Sequence, residues 1–275
     1  MPDGRKVGVA EFGARDGVTV IWCHGGPGCR REPENLAGTF AESGLRVVGI
    51  DRPGYGASTP WPGRSIGDWA ADALEVADQL GVDSFATVGI STGGAHALAV
   101  AAKSRRVMGV VACCAVTDMR WAEGRAMMPL PSQIWDAPDR EAAHAIVAQQ
   151  LGSHGEMTRL GSPIIPLADS DKRFFEESGW ARSWDSFIPE MFAQGLYGYV
   201  DDRLADGRGW VSFDVRKIAC PVAVLHGTHD TFIPIAQARH TQSLIPGSRL
   251  QLCDALGHFS ILTEVVPTLN RLLGR

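Results

Sequence analysis

No segment of the 275-residue sequence reaches the roughly 18 uninterrupted apolar residues that a membrane span needs. The opening stretch, MPDGRKVGVAEFG, has no long apolar run behind a basic start. The expectation is a cytoplasmic protein with no membrane partner. Runs of basic residues are missing as well: Lys and Arg total 26 against 31 Asp and Glu, a net charge of −5. Nucleic acid is therefore not an expected partner. Cysteine is scarce, and its six copies, Cys23, Cys29, Cys113, Cys114, Cys220 and Cys253, form neither a C-x-x-C pair nor a disulfide framework. They read as small buried hydrophobes, with Cys29 set apart by its glycine-rich loop. Internal repeats and low-complexity tracts are absent too. What is present is 45% hydrophobic content, enough for a large α/β core with or without an insertion.

Periodicity divides the chain into short β-branched runs and longer helical patterns. VTVIWC (18–23), RVVGID (46–51), FATVGI (85–90), VMGVVACC (107–114), VAVLHG (222–227) and RLQLCD (249–254) read as strands, several of them apolar on both faces. NLAGTFAESG, SIGDWAADALEVADQLG, GGAHALAVAAKS, PIAQARHTQSLIPG and TEVVPTLNRLLG have helical spacing. Alternation of this kind predicts a mostly parallel central sheet with helices on both faces. It breaks between about Asp118 and Asp206, where DREAAHAIVAQQL and DKRFFEESGWARSWDSFIPEMFAQGL suggest helices with little strand character. Residues 1–117 and 207–275 are thus expected to form the core domain, and 118–206 a helical cap over the C-terminal edge of the sheet, where open α/β folds bind ligands.

Two stretches, GRSIG (63–67) and GISTG (89–93), fit G-x-S-x-G, the turn on which many hydrolases mount a nucleophilic serine. Ser65 follows a proline-rich turn and opens a helix, with Asp68 three residues on, so it reads as an N-cap. Ser91 ends a strand and precedes a helix, the setting a nucleophile elbow needs. Glycines at 89, 93 and 94 let strand and helix approach there while the serine takes a strained backbone position.

On these residues the chain resembles the α/β-hydrolase superfamily of esterases and peptidases. HGGPG (24–28) is similar to the family's oxyanion loop, DRPGYGAS (51–58) to the turn after the next strand, and HGTHDTFIP (226–234) and GHFS (257–260) to the turns carrying the acid and the histidine. The family usually has a further strand ahead of DGRKVGVAEFG, so the first strand is expected to be short or absent. The resemblance implies a triad of Ser91, Asp230 and His258 in the chain order this fold requires. It also implies an oxyanion hole from the amides of Gly26 and Thr92, Pro27 having no amide hydrogen to offer.

Serine needs a base, and histidine needs an acceptor that fixes its tautomer. His24, His226 and His96 read as loop-stabilising or packed histidines, and Asp118 in AVTDMRW is a second place for the acid. H-x-x-H-D at 226–230 lacks further ligands, so neither metal nor organic cofactor is expected. Among the large apolar residues of the insertion, Met128, Trp135 and Trp184 are expected to face the substrate. The wall they make favours an uncharged acyl chain or ring.

The expected function is a carboxylesterase-type serine hydrolase acting on a small molecule through an acyl-enzyme on Ser91. The alternatives are a proline iminopeptidase-like aminopeptidase, and a ligand receptor or cofactor-free lyase on the same scaffold. An aminopeptidase would need a carboxylate in the roof to pair with the substrate amine, and Glu176, Glu177, Asp185 and Glu190 are its candidates. Assembly as a homo-oligomer is left open.

Overall fold

A computed structural model describes all of the chain except residues 161 and 163–166. Seven strands, β1 (Val9–Gly13), β2 (Val18–Cys23), β3 (Leu45–Ile50), β4 (Phe85–Ile90), β5 (Val107–Cys113), β6 (Val222–Gly227) and β7 (Arg249–Cys253), form one sheet in the order β1-β3-β2-β4-β5-β6-β7. Every neighbouring pair is parallel except β1 with β3. The N-terminal stretch thus supplies a five-residue antiparallel edge strand. The six strands predicted from apolar runs all form, with ends shifted by a residue at most.

The central strands are apolar on both faces because both faces are covered. Val20 and Trp22 of β2 point to one side, where Trp22 packs edge-on against Phe40 of α1 (Ala37–Glu42) in a cluster that extends to Leu269 of α11 (Val265–Leu273) on β5. Ile21 and Cys23 point to the other. The cluster on that face holds Trp69 of α2 (Trp69–Gln79) and Ala97 of α3 (Thr92–Lys103), and extends to Ala238 of α10 (Ile235–Leu244) against β6.

Between β5 and β6 the described residues hold helices and no strand: α4 (Ala122–Ala126), α5 (Pro129–Trp135), α6 (Arg140–Leu151), α7 (Asp169–Ser178), α8 (Trp180–Met191) and α9 (Tyr197–Gly207). The long apolar-charged stretch from Asp171 is cut into α7 and α8 at Gly179, which takes a left-handed φ of 73°.

α9 is fastened to the core by buried charge. Fully buried Asp202 accepts from Arg52 Nε at 2.8 Å and from Arg64 Nη2 at 2.5 Å, while Asp201 holds Arg140 of α6 at 2.7 Å. Arg52 also donates to the carbonyls of His24 and Gly25, the latter at 2.7 Å, so one guanidinium ties α9 to the loop after β2. Burial opposes the charge on Asp202, but Arg52 and Arg64 outweigh it and hold the carboxyl far below its ordinary value. A depressed folded-state value gives stability that is present above the unfolded carboxyl pKa of about 4 and is lost as pH falls below it. Asp202→Ala leaves Arg52 buried beside no anion. It is expected to lower unfolding free energy by about 3–5 kcal/mol in denaturant titrations, and a loss below about 1 kcal/mol would contradict this role.

Candidate active site

The residues singled out from the sequence converge at the C-terminal ends of the parallel strands, where Gly26 follows β2, Ser91 follows β4, Asp230 follows β6 and His258 follows β7. Ser91 has φ 55° and ψ −121°, a conformation that costs a non-glycine residue about 1–3 kcal/mol and persists only where the surroundings enforce it. They do so through backbone bonds: Ser91 N–H donates to Cys113 O at 2.9 Å, and Ser91 O accepts from Gly94 N–H at 3.0 Å and Val116 N–H at 3.2 Å. No side chain fits beside the turn. A Cβ on Gly89 would lie 2.1 Å from Gly93 O, and one on Gly93 would lie 2.0 Å from Cys23 O. Ser65, by contrast, forms the expected capping box, its backbone N–H and hydroxyl both donating to Asp68 Oδ2 at 2.8 Å.

Asp230 accepts from His258 Nδ1 at 2.8 Å. The other carboxylate oxygen takes the Phe232 and Ile233 amides, both at 2.8 Å, so the acid is held by its own turn. Burial disfavours its charge, yet His258 and these donors bring Asp230 down to about 2. Burial likewise opposes a charged His258, but the Asp230 anion, its hydrogen bond and the Cys114 thiol raise the imidazole well above its ordinary value. Asp118 lies elsewhere, paired with Arg120 at 2.5 Å and accepting the Trp210 amide at 3.1 Å. His24, His96 and His226 are buried and bonded to Gly25 O, Thr92 O and Ile233 O respectively, as packed histidines would be.

His258 and Ser91 line one small cavity of about 100 Å³, together with Gly26 and Trp184. Ser91 and Gly26 also border a larger cavity of about 380 Å³, whose apolar wall includes Met127, Met128 and Leu130. Thr92 opens α3, so its N–H has no intrahelical acceptor. The Gly26 N–H likewise has no acceptor among the described residues. A side chain at position 26 would strike Thr92 Oγ1 and Arg203 Nη2, at 2.8 and 3.0 Å from its Cβ. Both amides are therefore the candidates for an oxyanion hole, neither having an acceptor among the described residues.

One expectation needs correction. Trp135 borders neither cavity: its ring lies under the Arg125 guanidinium, 5.3 Å from the centroid, and packs behind Met128 and Ile233, which do line the larger one. It supports the wall from outside, because α5 turns it towards Val116 and Met119 of the core. The four carboxylates that an aminopeptidase would have used in the roof line neither cavity. Glu176 and Glu177 are exposed, Asp185 faces Arg159 at 3.9 Å near the surface, and Glu190 pairs with Arg30 and Arg31.

Several residues at the site were not anticipated. Asp171 of α7 is buried and receives the amides of His258, Phe259 and Ser260 at 3.0, 3.1 and 2.8 Å, so an inserted helix sets the histidine loop. Arg203 of α9 donates to Thr92 Oγ1. Phe232 and Phe259 flank the acid and the histidine and line the small cavity; their signal was in the quoted motifs DTFIP and GHFS. Glu32, four residues beyond HGGPG, lines it as well.

A family model described as alpha/beta hydrolase fold matches residues 18–265. The chain is 26% identical over 270 residues to a non-heme chloroperoxidase of Streptomyces lividans, covering 95% of this chain and 92% of that one. It is 25% identical to a bifunctional esterase/perhydrolase of Acinetobacter calcoaceticus (98% and 95% covered) and 26% identical to a proline iminopeptidase of Neisseria gonorrhoeae (90% and 85% covered). The sheet order, the strained serine after β4 and a match over nine-tenths of the sequence agree: this chain belongs to the α/β-hydrolase fold family.

Proposed function

We propose that the chain is a serine hydrolase that cleaves carboxylic esters through an acyl-enzyme on Ser91. The observation that carries this reading is a serine in a strained turn sharing a cavity with a histidine whose Nδ1 is held at 2.8 Å by a buried aspartate. In the proposed cycle His258 Nε2 takes the Ser91 proton as Oγ attacks the ester carbonyl, and the negative oxygen is received by the Gly26 and Thr92 amides. The tetrahedral intermediate expels the alcohol, protonated by His258. Water, deprotonated by the same nitrogen, then releases the acid. The esterase activity named for the Acinetobacter relative supports the ester assignment, and the apolar wall of the larger cavity suits an uncharged chain or ring.

A panel of aryl esters with acyl chains from acetyl to octanoyl tests it, scored against aminoacyl arylamides. Steady turnover of the esters well above the buffer blank is expected, with prolyl arylamides slower than the best ester. Absence of turnover on every ester would remove the reading in favour of a ligand receptor.

The raised proton affinity of His258 predicts the pH profile. The histidine must be neutral to act as a base, so kcat/KM should rise with pH along a limb centred above the ordinary histidine value of about 6.5. Asp230→Asn removes the anion that favours the imidazolium and should move that limb to lower pH. A limb that stays in place in the variant would contradict the assignment of the group.

A further inference from the structure

Buried acids in this protein are almost all matched. Asp51, Asp72, Asp118, Asp201, Asp202 and Asp206 each lie against an arginine, and Asp230 holds His258. Asp171 pairs with no cation among the described residues but is saturated by three amides and the Ser260 hydroxyl. Glu32 is different. It is buried, with 5% of its surface accessible, and makes no ion pair among the described residues. Two donors reach it, Trp22 Nε1 at 2.7 Å on Oε2 and the Gly25 amide at 3.0–3.1 Å shared by both oxygens. An ionised carboxylate has about four acceptor positions, so capacity remains, and Glu32 lines the small cavity that holds Ser91 and His258.

The remaining walls suit a cation. Trp180, Trp184, Phe232 and Phe259 line the same cavity, and aromatic faces attract ammonium groups. The arginines nearby are already countered, Arg52 by Asp202 and Arg203 by Asp206.

We infer that Glu32 and these aromatic rings form a subsite for a small protonated amine, so that the preferred substrates are esters whose short acyl group carries an ammonium while an apolar alcohol occupies the larger cavity. This rests on the ester-cleaving reading of the same site. A volume of about 100 Å³ admits a few heavy atoms, the size of an alanyl group, and the larger cavity of about 380 Å³ takes the leaving alcohol. The carboxylate sought among the inserted helices is thereby supplied by the loop after β2. Burial raises the Glu32 carboxyl to about 7 in the empty cavity, despite its two donors and the fields of Arg52 and His258. An arriving ammonium favours its ionised form, and the pair replaces an uncompensated buried charge with a compensated one.

The test compares two nearly isosteric esters of one phenol, 4-methylphenyl alaninate and 4-methylphenyl isobutyrate, which differ by an ammonium in place of a methyl group. At pH 7 the kcat/KM ratio, each value corrected for its rate in buffer, should favour the alanyl ester at least tenfold. Glu32→Gln should collapse that preference at least tenfold whatever loss the two esters share, and Glu32→Asp should retain part of it. An equal loss on both esters, with the ratio unchanged, would make Glu32 a brace for the Gly25 loop and overturn the subsite; so would a wild-type preference for isobutyrate. Binding separates this from the hydrolysis reading. Ser91→Ala, titrated with each ester and followed by the fluorescence of Trp180 and Trp184, should bind the alanyl ester more tightly. That result in a protein that turns over neither ester keeps the subsite and removes the esterase, whereas equal binding removes the subsite.

Discussion

Ser91→Ala is expected to lower kcat on a short aryl ester by about 10⁶-fold, the scale observed when a triad serine is removed and the oxyanion donors and binding are left in place. The size follows from the loss of the covalent route. With Oγ gone, His258 has no hydroxyl to activate, and what remains is hydrolysis by water beside the Gly26 and Thr92 amides. The same change should abolish labelling by a fluorophosphonate, which needs an activated hydroxyl next to an oxyanion hole. Ser65→Ala is the matched control, since Ser65 belongs to the other G-x-S-x-G match but caps a helix through Asp68. Its labelling should persist and its stability should fall by about 1 kcal/mol. Labelling that survived in Ser91→Ala would reject Ser91 as the nucleophile.

Asp230→Asn is expected to lower kcat by about 10⁴-fold, while Asp118→Asn leaves it within a small factor. An asparagine can still meet His258 Nδ1, but it presents an amide that favours the wrong tautomer and offers no charge to stabilise the imidazolium. Geometry separates the two aspartates: Asp230 contacts His258 at 2.8 Å, whereas Asp118 spends its carboxylate on Arg120 and the Trp210 amide. The Asp118 variant should lose some stability, because an amide NH2 would replace the carboxylate oxygen that pairs with the Arg120 guanidinium. Near-full turnover in Asp230→Asn with a collapse in Asp118→Asn would reverse the assignment.

The strands were legible because each central one is apolar on both faces, a pattern with few alternatives in a short run. The turns of the site were legible for a related reason. A strand that ends in Gly-x-Ser-x-Gly-Gly and passes into an alanine-rich helix leaves little conformational freedom, and the structure places Ser91 at φ 55° there. What could not be read was whatever depends on partners remote in sequence. DDR at 201–203 looks like a solvated helix face, yet Asp202 and Arg203 are buried because Arg52, Arg64 and Thr92, more than a hundred residues earlier, satisfy them. Trp135 was assigned to the pocket by its size and place in the insertion. Which way α5 turns it is set by Val116, Met119 and Ile233, which no local pattern announces. Glu32 sits in a run of charged residues, CRREPEN, whose arginines pair with Asp51, Glu34 and Glu190 and leave it turned inward towards Trp22.

The measurement closest to the central claim is the mass of the protein quenched in acid during turnover of a short-chain aryl ester, followed by mapping of the modified peptide. The account predicts a transient increase equal to one acyl group, located on Ser91 and accumulating further in a variant with slowed deacylation. Turnover with no covalent adduct at any time, or an acyl group mapped to another residue, would contradict it.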